Sequence, residues 1–193
     1  MSNTLSNNNS STIGIFDSGL GGLTVLNQLK SDYSNNSFIY FGDTAHLPYG
    51  TKSKDSIIQF SDKIVDFLIS KGANIIVVAC HTASAVALNY LKGKYNIPII
   101  GVVESSINAA MKITESHEIA VLGTHTTISS HSYQKNITSQ SNMIKVHEIE
   151  CPLFVPIVEE GLENSQISSL ASKLYLECIN EMNVDTIILG CTH

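Results

Sequence analysis

"NIIVVACHTASAVALNYLKGKYNIPIIGVV", residues 74–103, decides the fold. Its first run, 74–79, is short and dominated by Ile and Val, with no polar side chain after Asn74, as a strand buried on both faces would be. Residues 83–95, ASAVALNYLKGKY, then carry a helical pattern. "NIP" ends it, because the residue before a proline is pushed out of the α region. A second β-branched run, IPIIGVV (97–103), follows. Strand, helix and strand within about 30 residues make a βαβ unit, which joins parallel strands.

The same alternation extends in both directions. TIGIF (12–16), SFIYF (37–41), EIAVLG (118–123), MIKVHEI (143–149) and DTIILG (185–190) are further strand candidates. Helical patterns lie between most of them, at LTVLNQLK, SKDSIIQFSDKIVDFLISKG, SSINAAMKI, ISSHSYQKNI and ISSLASKLYLECINEM. The class is therefore α/β, with largely parallel sheets covered by helices on both faces. The order also repeats: IGIFDSG (13–19) has a counterpart in IAVLGTH (119–125), and NIIVVAC (74–80) aligns without gaps on DTIILGC (185–191). Two similar units are expected, residues 13–97 and 98–193, the second opening at Pro98, with a disordered tail over 1–12.

Composition narrows the function. With 43% hydrophobic and 15% charged residues among 193, the chain can bury a core. Its net charge of −6 and lack of a basic cluster repel nucleic acid. No apolar run is long enough to span a membrane, and the polar start lacks the features of a secretory signal, so a cytoplasmic protein is expected. There, cysteines 80, 151, 178 and 191 are expected as free thiols.

Cys80 and Cys191 end equivalent strands, where ligands of parallel sheets bind. Burial alone would explain either one. The matched pair, with Thr82 and Thr192 beside it to bind oxygen atoms, points further, to a reaction that is itself symmetric: proton removal from one face of a carbon and return to the other. A helix starting at Thr82 or Ala83 would lower the thiol pKa of Cys80 from about 8.5. Cys178 reads as helix packing. Zinc is the rival reading of Cys80–His81 and Cys191–His193, disfavoured because no CxxC pair accompanies them; no metal is expected. The loop IFDSGLGGLTVL (15–26), with Asp43 ending the next strand, raises a dinucleotide site. It lacks the last glycine of that fingerprint, and Asp17 would face the pyrophosphate. Asp17 better suits an ammonium group, and Ser18 with the loop amides a carboxylate.

DSGLGG (17–22), YFGDTAHLPYG (40–50), ACHTAS (79–84), LGTHTTISS (122–130), CPLFVPIVEEG (151–161) and GCTH (190–193) together resemble the motifs, in order, of the glutamate racemases of the aspartate/glutamate racemase superfamily. The resemblance implies two α/β domains around a cleft, no cofactor, and glutamate as the small-molecule substrate, its product feeding peptidoglycan synthesis. It implies that Cys80 and Cys191 exchange the α-proton, assisted by Asp17, Glu159 and His193. Asp17, Ser18, Tyr49, Gly50, His81, Thr82, Thr124, Thr127, Thr192 and His193 would bind the amino acid. A homodimer stays open, as do an aspartate racemase and a catalytically impaired fragment. His46, His117, His131 and His147 read as surface or packing residues.

The sequence departs from that family in three places. His81 stands where asparagine is usual, and Thr126 replaces glycine in the "GTxGT" motif, here GTHTT. The family also continues beyond the second cysteine motif with a helix and a segment that completes the first domain. On this reading the 193-residue chain is a poor racemase, with a chain-end carboxylate raising the pKa of Cys191. Circular-dichroism detection of D-glutamate formed at near-native rates by this polypeptide would contradict that expectation.

Overall fold

The computed structural model of the chain describes residues 11–193. In order these form β1 (Thr12–Asp17), α1 (Leu23–Asp32), β2 (Ser37–Gly42), a 3-10 turn (Tyr49–Thr51), α2 (Lys54–Ser70), β3 (Ile75–Val78), α3 (His81–Lys94) and β4 (Ile99–Gly101). Then come α4 (Val102–Ile113), β5 (Glu118–Gly123), α5 (His125–Ser129), α6 (Ser132–Gln140), β6 (Lys145–Glu150), α7 (Phe154–Glu159), α8 (Gln166–Leu176), a second 3-10 turn (Glu177–Glu181) and β7 (Thr186–Gly190). Among the described residues no helix is long and apolar enough to cross a membrane.

Every strand pairing is parallel. One sheet has the order β2-β1-β3-β4 and the other β6-β5-β7. The repeat seen in the sequence is thus a repeat of topology: β1 lies between β2 and β3 as β5 lies between β6 and β7.

In the first unit, α2 shows how pattern becomes packing. Ser53 caps it by accepting from the Ser56 amide, satisfying an otherwise free N–H. Ile57, Ser61, Ile64, Val65 and Leu68, spaced at the helical period, form its buried stripe. They join Phe16, Ile76, Val78 and Leu91 in one core, while Ile13, Ile15, Val77 and Ala79 pack against Val25, Leu26 and Leu29 of α1 on the opposite sheet face. The second core gathers Val103, Ile107, Ile119, Val121, Tyr133, Ile137 and Ile188 from α4, α6, β5 and β7.

Four expectations need correction. Thr12 belongs to β1 rather than to a tail, and the other tail residues up to Ser10 lie outside the described part. The boundary near Pro98 is misplaced, because β4 hydrogen-bonds to β3 and completes the first sheet. Helix α3 presses closely on that strand: a Cβ on Gly101 would meet Ser84 Oγ at 2.3 Å and Leu88 Cδ2 at 2.7 Å. The chain crosses to the second unit only with α4, whose Val103 amide donates to Ser84 Oγ at 3.3 Å. The ISSHSYQKNI pattern is two helices, broken at His131, whose φ is 52°. Finally, β7 is not covered on both faces: its burial alternates, with Ile187 45% and Leu189 69% exposed.

Strand β7 is fixed at its start by Asp185. Its carboxylate accepts from the amides of Glu115 and Ser116, both at 2.7 Å, and from the Thr114 hydroxyl at 2.8 Å. These donors, the Ser116 amide foremost, hold the Asp185 carboxyl well below the ordinary carboxylate range. A depressed folded-state pKa gives stability that is present above the unfolded value, about 3.9, and lost as pH falls through the folded one. Asp185→Asn is therefore expected to lower the urea midpoint at pH 7, with the gap to wild type closing in the acid range. A gap that persists unchanged at pH 2 would count against this staple.

Candidate active site

The strand register places the two cysteines. Phe16 pairs with Val78, so Ser18 and Cys80 leave the sheet at the same level. Gly123 pairs with Gly190, so Thr124 and Cys191 do the same in the second unit. The carboxyl ends of the two central strand pairs face each other across one cavity. Cys80, Cys191, Ser18, Tyr49, Gly50, His81, Thr82, Thr124, Thr192 and His193 all line it, with Pro48 and Val155. The free space is about 10 Å³, room for roughly one water.

Asp17, Thr127 and Glu159 stand behind this lining. Asp17 is wholly buried; its carboxylate accepts from the Gly19 amide at 3.0 Å and the Thr192 hydroxyl at 3.2 Å. Thr127 completes a triangle of hydroxyls with Thr82 and Thr124, all three oxygens 3.0 Å apart. Thr82 comes from α3 of the first unit and the other two from α5 of the second, so the triangle bridges the units. Glu159 approaches His193, with Oε1 2.5 Å from Nε2. That nitrogen makes no directed hydrogen bond. The Cys191 thiol and the Thr192 hydroxyl lie 3.9 Å and 3.1 Å from the other ring nitrogen of His193.

Helix α3 starts at His81, with Cys80 as its cap: the thiol sulfur accepts from the Ala83 amide at 3.5 Å. The expected lowering of its pKa is nevertheless overturned. Burial, and then the charge of Asp17, push the Cys80 thiol up to about 12, against which the Ala83 amide and Ser18 hydroxyl act only in part. Cys191 is also raised, by burial first. The charges of Asp17 and Glu159 add to this, while the His193 and Thr192 amides oppose it; no chain-end carboxylate is among the main causes. Burial and charge thus favour the protonated form of both thiols.

His81 is pushed down to about 4 by burial, which keeps its imidazole neutral at physiological pH. Its Nδ1 is buried without a hydrogen-bond partner and sits in a residue that lines the cavity. A neutral imidazole offers one donor and one acceptor there.

Asp43 escaped the sequence reading as a site residue. It accepts from the Tyr49 hydroxyl at 2.6 Å and lies 2.8 Å from Nδ1 of His46, whose ring stacks on Phe60 at 4.1 Å. It anchors Tyr49, and through it the turn at the cavity wall. The acid six residues before Tyr49, just past a strand end, was the available signal. Thr126, which the sequence showed only as a departure from the motif, donates to the Gly50 and Lys52 carbonyls, both at 3.0 Å. Cys178 is exposed in a 3-10 turn instead of packed on a helix. Cys151, with Phe154 and Leu189, lines a largely apolar pocket of about 220 Å³ that shares Thr124, Val155, Cys191 and His193 with the cavity wall. Among the described residues no three metal-binding side chains cluster.

Paired thiols at matching strand ends of two α/β units define a racemase-type enzyme. The chain belongs to the Asp/Glu/hydantoin racemase family, whose model matches residues 24–193. It is 43% identical over 182 residues to the glutamate racemase of Hydrogenobaculum sp. and 46% identical over 181 residues to that of Aquifex pyrophilus, covering in each case 94% of this chain and 70% of the relative. The crystal structure of glutamate racemase isoform RacE1 from Bacillus anthracis superposes with a TM-score of 0.91 at 38% identity, covering 95% of this chain and 69% of that one. The Francisella tularensis glutamate racemase in complex with D-glutamate gives 0.89 at 37% identity, over 96% and 69%.

A raised pKa makes the thiolate fraction climb tenfold per pH unit until the pKa is reached. Alkylation of Cys80 is therefore expected to keep rising to at least pH 11, where a free cysteine levels off near pH 9. Peptide mass spectrometry after timed iodoacetamide pulses measures this; a plateau below pH 9 would show a thiolate already favoured.

Proposed function

We propose that this chain interconverts L- and D-glutamate by moving the α-proton between Cys80 and Cys191. The observation that carries the reading is that both thiols, one from each unit, line a single small cavity. The names of the relatives supply the substrate, and the bound D-glutamate of the Francisella tularensis structure is the matching ligand.

The geometry suggests how the chemistry runs. One sulfur, as thiolate, takes the α-proton and becomes a thiol. The electron pair left on the carbon spreads into the α-carboxylate. The opposite thiol gives its proton to the other face of that carbon and is left as thiolate. Atoms and charge balance, and the thiolate has changed sides. The α-carbanion is a high-energy species, so the site needs fixed donors and little water.

Those donors are neutral. The hydroxyls of Thr82, Thr124 and Thr127 donate to one another in the empty site, and rotation would turn them toward a carboxylate. Ser18, Thr192, His81 and the backbone at Gly50 surround the remaining space. Asp17, behind the lining, sets a negative charge that favours the substrate's ammonium. That cation in turn lowers a neighbouring thiol pKa, so a thiolate forms when substrate is present. His193, held near Glu159, is placed to return the proton to Cys191 between turnovers. In a cytoplasmic setting the product would supply D-glutamate for peptidoglycan.

Proton nuclear magnetic resonance in D₂O tests this. Wild type is expected to exchange the α-proton of L-glutamate while optical rotation decays, with aspartate turned over more slowly. Cys80→Ser and Cys191→Ser should each lose at least about a hundredfold of racemisation, the scale of an acid/base group. Absence of both exchange and racemisation in wild type, or full activity in either variant, rejects the reading.

A further inference from the structure

Beside the reactive cavity the two units are joined by a bond made by one side chain. Thr126, in α5 of the second unit, is 9% exposed. Its hydroxyl donates, shared, to the carbonyls of Gly50 and Lys52 in the first unit, at 3.0 Å each. The turn so gripped is short and stiff, closed by the Lys52 amide donating to the Tyr49 carbonyl at 3.0 Å. It carries Tyr49 and Gly50, both part of the cavity wall.

The fit against the second unit is close. A Cβ on Gly50 would meet Thr124 Cβ at 2.5 Å, so the backbone itself packs on the hydroxyl-bearing residue of α5. With about 10 Å³ of free space inside, nothing the size of an amino acid enters while this turn stays in place. Moving the turn away from α5 takes the Gly50 and Lys52 carbonyls from their shared donor.

We propose that Thr126 is a positioning residue, a latch that holds the turn at 49–52 against the second unit and sets how often the cleft opens to Cys80. Its consequence for turnover rests on the reading of this cavity as the substrate site; the latch itself can be tested without any ligand.

The test uses the four free thiols of the chain as reporters. Native protein is pulsed with N-ethylmaleimide and each cysteine followed by peptide mass spectrometry, in wild type, Thr126→Val and Thr126→Ser. Labelling of a buried thiol through rare opening follows the opening equilibrium. Loss of one net hydrogen bond changes that equilibrium about fivefold. Thr126→Val is expected to speed Cys80 labelling by about that factor, and Thr126→Ser, which keeps the hydroxyl, to stay within about twofold of wild type. Cys151, 4% exposed and outside the lining of the reactive cavity, reports general loosening and is expected to hold its rate. An unchanged Cys80 rate in Thr126→Val, or equal acceleration of Cys80 and Cys151, overturns the latch. Excess L-glutamate is expected to slow Cys80 labelling in wild type. If glutamate fails to protect while Thr126→Val accelerates, the substrate reading falls and the latch stands; the reverse result removes the latch alone.

Discussion

Exclusion of water from the space between two sulfur atoms is the constraint around which the site is arranged. With room for about one water, the cavity leaves Cys80 and Cys191 as uncharged thiols, although a proton abstractor must be charged. A permanently ionised thiolate would have to be stabilised by fixed positive charge, and among the described residues no lysine lines the cavity. Burial and the charge of Asp17 instead favour the protonated form of both thiols. The same burial that suppresses the base in the empty site strengthens every electrostatic contact once the cleft is filled.

The approximate symmetry of the fold makes this arrangement economical. β1 with β3 and β5 with β7 are the same construction, each delivering a hydroxyl residue and a cysteine at one level: Ser18 with Cys80, Thr124 with Cys191. Where the halves differ, the differences have local causes. Cys80 is the cap of a helix of 14 residues and is buried. Cys191 instead lies beside His193 and borders a largely apolar pocket.

The β-branched runs made the seven strands among the described residues legible, because a strand buried in a parallel sheet declares itself by local composition. Which sheet a strand joins is not local. β4 follows a proline that looks like a boundary, yet pairs with β3 because Gly101 permits α3 to lie close upon it. The residues around the cavity were legible through motif and pairing, from Ser18 to His193. The protonation of Cys80 was not: the helix start could be read from the chain, while burial and the nearness of Asp17 are properties of the folded neighbourhood. Thr126 was visible only as a glycine replaced; the two carbonyls it binds belong to residues more than seventy positions away.

The triangle of Thr82, Thr124 and Thr127 carries a last implication. The chain contains no arginine, all eleven of its basic residues being lysine, so this wall of the cavity presents hydroxyl dipoles and no guanidinium fork. Dipoles carry no cloud of counterions to be stripped away. Capture at such a surface is governed by close-range geometry, and added electrolyte, which screens attraction between exposed charges over about 10 Å at 0.1 M, finds little here to weaken.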